Sequence, residues 1–247
     1  EDAGRLKHPI RPESYVEMRN FYTATVYEKG AEVVRLYQTL LGEDGFKKGL
    51  THYLNKFDGT AATCDDFLTS MADANSENLT GLQSWYSQAG TPTITVTKSL
   101  EDNLVKLSFK QTLSAQTDEC DPQWIPIKFA LITDDGKIIH EDMFTLKNWE
   151  DSISIPCHEE NISVSLFRDF SAPVIVDYDY TEQELTTIIF FETDYFARWE
   201  ATQRYLSNLV VSDQSFDEKS QKFSTFIEHL WRQCRTEPSF YALLLTL

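Results

Sequence analysis

Trp85-Tyr86-Ser87-Gln88-Ala89-Gly90-Thr91-Pro92-Thr93-Ile94-Thr95-Val96-Thr97-Lys98, residues 85–98, changes its hydrophobic period halfway along. Trp85 and Tyr86, with Leu82, close a short helical pattern. Gly90 and Pro92 then interrupt it, since glycine ends helices and proline cannot continue one. From Thr93 the residues alternate strictly, the period-2 signature of a half-buried strand. This stretch therefore marks a boundary between helix and sheet, and each side can be read from it.

Upstream, after the two prolines of His8-Pro9-Ile10-Arg11-Pro12, the pattern is helical. Val26, Val33, Tyr37, Leu40 and Leu41 share a face that Gly42 terminates. Phe46, Leu50, Tyr53, Leu54 and Phe57 form the next face, stopped by Asp58-Gly59. Thr63 to Asp66 has the spacing of a capping box ahead of Phe67, Leu68, Met71 and Ala74. Downstream, Leu104 to Lys110, Ile125 to Ile132, Lys137 to His140, Ile153 to Ile155 and Val164 to Leu166 read as short strands. Asp134-Asp135-Gly136 is a hairpin turn among them. From Thr181 the period returns to helical through Leu185, Ile188, Ile189, Phe196, Trp199, Leu206, Leu209 and Val210. Phe223, Phe226, Ile227, Leu230 and Trp231 mark a further helix, and Glu237-Pro238 opens another. The expected fold class is thus α+β and multidomain. Residues 1–90 are helical, 91–180 are a β-sandwich, and 181–247 begin a second helical region.

Composition bounds the function. Of the 247 residues 41% are hydrophobic, which suits folded domains and excludes a disordered chain. No apolar run approaches the ~18–20 residues that span a bilayer. The net charge of −17 repels phosphate backbones and anionic lipid, so neither nucleic acid nor a membrane surface is an expected partner. Residues 91–180 hold the largest acidic excess, which a solvated surface explains. Cys64, Cys120, Cys157 and Cys234 are widely spaced and read as thiols of a reducing compartment. Asn78-Leu79-Thr80 and Asn161-Ile162-Ser163 have the form of glycosylation sequons. With no signal peptide visible, they read as chance matches.

Metal and nucleophile motifs are missing. After His140-Glu141 and His158-Glu159, the positions where a zincin helix carries its second histidine hold Phe144 and Ile162. Neither Gly-x-Ser-x-Gly nor a Walker loop occurs. What remains is Phe21-Tyr22-Thr23-Ala24-Thr25-Val26-Tyr27-Glu28-Lys29-Gly30, with two tyrosines five apart at a helix front and a glutamate after the second. A tyrosine hydroxyl can donate to a developing oxyanion, and a glutamate can pair with an ammonium group. Packing tyrosines and a glutamate that suits the helix dipole give the same pattern.

The stretch from His8 to Gly30, Thr63-Cys64-Asp65-Asp66-Phe67, and Trp85 to Pro92 resemble the bacterial aminopeptidase N family of zinc metallopeptidases, the gluzincins. Phe170-Ser171-Ala172-Pro173-Val174 resembles its sandwich domain, and the likeness weakens after about residue 180. The resemblance implies that residues 1–90 are the helical back of a thermolysin-like catalytic domain, 91–180 the sandwich, and 181–247 the start of a C-terminal helical domain. It implies a cytoplasmic enzyme that removes N-terminal amino acids from peptides. There, zinc held by two histidines and a glutamate polarises the carbonyl and activates water. Tyr27 matches the tyrosine that stabilises the oxyanion, and Tyr22 and Glu28 match positions lining the same site. The family's His-Glu-x-x-His helix, third zinc ligand and amine-binding loop match nothing in these residues.

The chain by itself is therefore expected to be inactive and to bind no catalytic zinc. It begins with Glu and ends in an apolar segment, so it reads as a piece of a longer protein. Its expected partners are the missing segments of that protein and the peptide substrate. A hydrophobic face around residues 15–60 is expected to be exposed. The competing expectation is a stand-alone interaction module that does no chemistry.

Overall fold

The computed structural model describes residues 2–114, 120–233, 238–244 and 246. Cys234 and the expected helix start at Glu237 lie outside the described residues. The chain divides into two compact units. One comprises Glu1–Ile127, Phe144–Cys157 and Ser171–Tyr178, and the other Lys128–Met143, His158–Phe170 and Asp179–Leu247.

In the first unit, a π turn at Thr25–Lys29 runs into α1 (Gly30–Phe57). Gly42, at φ 72°, breaks the helical backbone inside α1, where the hydrophobic pattern expects a terminator. Glycine adopts this left-handed conformation without the steric penalty of a Cβ. α2 (Cys64–Asn75) begins at the expected capping box. The Asp66 N–H donates to Thr63 Oγ1 at 3.2 Å, and the Thr63 N–H donates to Asp66 Oδ2 at 2.8 Å. α3 (Gln83–Ser87) carries Trp85 and Tyr86 into the core beside Val33, Leu36, Tyr37, Leu68 and Met71, all buried. The hydroxyls of Tyr37 and Tyr86 meet at 2.9 Å, tying α1 to α3. The indole N–H of Trp85 donates to the Trp124 carbonyl at 3.0 Å.

The boundary at Gly90 opens β1 (Pro92–Glu101), which pairs antiparallel with β2 (Leu104–Leu113) along its whole length. Alternation does what the sequence demands: Ile94, Val96, Val105, Leu107 and Phe109 are buried. Asp102 and Asn103, both left-handed, make a two-residue turn between these strands. A tight hairpin needs positive φ at both central residues, and Asp and Asn tolerate it. The strands β3 (Ile125–Thr133), β4 (Ile138–Leu146), β5 (Glu150–Pro156), β6 (Ile162–Leu166) and β7 (Ile175–Asp177) complete two sheets. Their orders are β5-β2-β1-β7 and β4-β3-β6. β7, which lies parallel to β1, is a strand that the sequence pattern did not reveal, since three residues carry too little periodicity. Asp134-Asp135-Gly136 makes the expected turn, with Gly136 at φ 86° and its N–H donating to the Thr133 carbonyl at 2.8 Å.

In the second unit, α4 (Glu182–Phe191) and α5 (Tyr195–Val211) are two helices where the hydrophobic run reads as one. Glu192-Thr193-Asp194 interrupts them. Asp194 is the N-cap of α5 and accepts from the Ala197 N–H at 2.8 Å. A local cap outbids helix continuation at residues whose side chains bond their own backbone. With α6 (Phe216–Gln233) and α7 (Pro238–Leu244), these helices bury Leu185, Ile188, Ile189, Ala201, Phe226, Leu230 and Leu244 against Ala130 and Ile132 of β3. The order helix, sheet, helix is the expected α+β class.

Candidate active site

Tyr27 and Glu28 sit on the π turn at the front of α1, and Tyr22 lies in the bend just before it. A π turn accepts one more residue between hydrogen-bonding partners than an α turn, and such turns recur at functional positions. Here the Gly30 N–H reaches the Thr25 carbonyl. The turn is locked upstream by Thr23. Its Oγ1 accepts from the Val26 N–H at 3.1 Å, and its carbonyl accepts from the Tyr27 N–H at 3.1 Å. His8 Nε2 lies 3.0 Å from the same hydroxyl oxygen, with Nδ1 2.8 Å from the Pro9 carbonyl.

Tyr22 and Tyr27 are brought together, their ring centroids 6.0 Å apart and their planes tilted by 31°. Phe21 and Tyr15 extend the aromatic row, at 5.7 Å from Tyr22 and 5.5 Å from Phe21 respectively. Tyr27 is 59% exposed and Tyr22 55%. Glu28, also exposed, follows Tyr27 on the same turn. Among the described residues the hydroxyl of Tyr27 has no hydrogen-bond partner. A packing tyrosine buries its ring and satisfies its hydroxyl, as Tyr37 and Tyr86 do. Tyr27 does neither.

Lys29 was not singled out from sequence, because a lysine between glutamate and glycine reads as solvated. It is buried. Its Nζ donates to Asp2 Oδ2 at 3.0 Å and to the Gly90 carbonyl at 2.8 Å. Thr91 Oγ1 donates to the same carboxylate oxygen at 2.6 Å. Burial pushes the Asp2 carboxyl up. The Thr91 and Lys29 hydrogen bonds and the Lys29 charge outweigh it and hold the group below the usual carboxylate value.

Zinc needs three or four convergent ligands. Among the described residues no three His, Cys, Asp or Glu side chains converge. His140-Glu141 lies in β4 and His158-Glu159 in a loop, neither in a helix. An open cavity of about 510 Å³ lies in the second unit, lined in part by Phe190, Tyr205, Lys222, Phe226 and His229. It contains none of the candidate site residues Tyr22, Tyr27 and Glu28, and its lysine is paired with Glu182 at 2.7 Å. No described helix is long and apolar enough to cross a membrane.

Comparison with known proteins places these features in a family. Residues 1–86 match the Peptidase family M1 domain, and residues 90–179 match a domain of unknown function with an Ig-like fold (DUF3458). Aminopeptidase N of Escherichia coli is 37% identical over 91% of this chain, and that of Haemophilus influenzae 38% identical over 82%. A crystal structure of Legionella pneumophila aminopeptidase A in complex with aspartic acid superposes on 98% of the chain. Its TM-score is 0.87 at 25% identity. The chain spans 27%, 25% and 29% of those three proteins respectively. From the adjoining family matches and the aminopeptidase N relatives at 37% and 38% identity over most of its length, the chain belongs to the aminopeptidase N family of M1 peptidases.

Proposed function

We propose that this chain supplies the tyrosine side of the active site of a zinc-dependent aminopeptidase. Tyr27 donates its hydroxyl hydrogen to the oxyanion that forms as water attacks the first peptide bond of a substrate. Tyr22 lines the same site, and Glu28 offers a carboxylate to a cationic group there. The observation that supports this reading is the Tyr27 hydroxyl, held outward on a π turn without a partner. A donor aimed where charge develops contributes most when it needs no reorganisation during the reaction.

The zinc belongs to the rest of the protein and supplies Lewis-acid polarisation of the scissile carbonyl. The partners are a peptide substrate and the zinc-binding segments of the same polypeptide, and the compartment is the cytoplasm. Residues 1–90 are the back of the catalytic domain, 91–180 the sandwich and 181–247 the first part of a helical domain. Residues 1–247 by themselves are inactive and hold no catalytic zinc.

The gene upstream of the Glu1 codon tests the assignment. An in-frame His-Glu-x-x-His with a later glutamate supports it. A start codon directly before Glu1 makes the chain a non-catalytic interaction module instead. Where the longer protein exists, Tyr27→Phe is expected to lower kcat by ~10²–10³. Unchanged turnover would remove Tyr27 from the mechanism.

A further inference from the structure

Two residues past Tyr27, the π turn is tethered by a buried charge pair that the chemistry at Tyr27 does not itself require. The Lys29 side chain is 9% exposed and that of Asp2 17%. Four groups from three separate stretches of chain converge there: Asp2, Lys29, the Gly90 carbonyl and Thr91 Oγ1. Gly90 sits at φ 92°, in the link between α3 and β1.

Burying a lysine and an aspartate carries a desolvation penalty that an apolar side chain would avoid, so net stability alone is weak grounds for such a pair. A charged pair with defined hydrogen-bond directions does something an apolar contact does not: it fixes one orientation. On a helical turn, residues two apart point to nearly opposite sides. A lysine tied inward at position 29 therefore turns position 27 outward. Upstream, Thr23 holds the Tyr27 N–H and His8 holds Thr23. Downstream, the tether is Lys29.

We infer that Lys29 and Asp2 are positioning residues, which set the roll of the π turn and thereby the direction in which the Tyr27 hydroxyl points. This inference rests on the reading of Tyr27 as an oxyanion donor. Displacing a catalytic donor by a fraction of an ångström to 1 Å weakens the transition state more than the ground state, so the effect falls on kcat and leaves KM nearly alone.

The experiment uses the full-length protein and four forms of it: wild type, Tyr27→Phe, the double variant Lys29→Met/Asp2→Asn, and the triple combination. The double variant removes both charges together, so no buried ion is left unpaired. Thermal unfolding confirms that each form is folded. Should the double variant not fold, Lys29→Arg, which keeps a cation opposite Asp2 but changes the direction of its donors, takes its place in the same comparison.

With an aminoacyl p-nitroanilide as substrate, the charge-free variant is expected to lose about 10–100-fold in kcat with KM little changed. In the Tyr27→Phe background the same change is expected to add less than about twofold, because both act through one hydroxyl. Wild-type kcat in the charge-free variant, beside a large loss in Tyr27→Phe, overturns the inference. So does an equal loss in both backgrounds, which marks a general structural role. No loss in Tyr27→Phe itself is a different failure and removes the reading on which the inference stands.

Discussion

Tyr27 and Tyr37 show how differently one residue type can be used within eleven positions of chain. Tyr37 is fully buried, and its hydroxyl is held against that of Tyr86. Burial and that neighbour push its pKa up, while Tyr86, pushed up chiefly by burial, rises to about 12. Tyr27 stands outside the core with its hydroxyl unused. Residue-scale energetics are also legible at Glu192. Its side chain is fully buried and Oε1 accepts from Arg168 at 3.0 Å, from the Thr193 N–H at 2.6 Å and from the Asp194 N–H at 3.0 Å. Arg168 also pairs with Glu141 at 2.8 Å. Burial pushes the Glu192 carboxyl up. The backbone N–H groups and the Arg168 charge outweigh it and hold it below the ordinary 4.5. A depressed folded-state pKa contributes stability that is fully present above the unfolded value and lost as pH falls through the folded one. Unfolding midpoints followed below pH 4.5 are therefore expected to drop with acid. Arg168→Met, which removes the cation paired with this buried carboxylate and leaves it only its N–H and hydroxyl donors, is expected to cost about 3–5 kcal/mol at neutral pH by denaturant titration. A loss well under 1 kcal/mol would show that the backbone donors alone suffice to hold the charge.

Capping and close packing act at the scale of the element. α4 starts on a full capping box, in which Thr181 Oγ1 accepts from the Glu184 N–H at 3.1 Å and Glu184 Oε2 accepts from the Thr181 N–H at 3.0 Å. Thr181→Ala is expected to lower stability by about 1 kcal/mol, read as a shift of the unfolding midpoint at constant m-value. The Thr63–Asp66 capping box was legible because the motif is local: three residues of spacing and two side-chain types define it. The Glu192-to-Asp194 break was not. Its cap is as local as the others, but a continuous apolar run masks it, and the buried carboxylate that organises it answers an arginine 24 positions away. Gly81 is a second case of hidden constraint. A Cβ there would overlap the Trp124 indole, which belongs to a segment 43 residues later. Gly81→Ala is expected to destabilise by about 1–3 kcal/mol, as overpacking does. A neutral effect on the midpoint would mean that the indole has room to move.

At the scale of the whole molecule, charge and exposed apolar surface set behaviour in solution. A net charge of −17 keeps copies apart, yet Tyr15, Val16, Met18, Tyr22, Tyr27 and Leu54 are all exposed on the first unit. Residues 1–247 prepared alone are expected to bind an apolar-surface dye strongly and to self-associate more as salt screens their charge. A monodisperse monomer with little dye binding would place no covered face there. The same preparation is expected to show no aminopeptidase activity with zinc added, and activity that rises with zinc would overturn the assignment of the metal site to other segments.

The period change at Gly90-Thr91-Pro92 was enough to divide helix from sheet, and period 2 followed by period 3.6 was enough for an α+β order, because burying one face of an element leaves its signature within that element. Tyr22, Tyr27 and Glu28 became candidates through their resemblance to the aminopeptidase N family, since residue type and spacing alone fit packing as well. Which tyrosine packs and which stands free, that the turn under Tyr27 is a π turn, and that Lys29 is buried on Asp2 and Gly90 were decided only in the folded chain. Each depends on groups up to 61 residues apart along the sequence, and no local pattern records the partner that a desolvated charge or a left-over hydroxyl will meet.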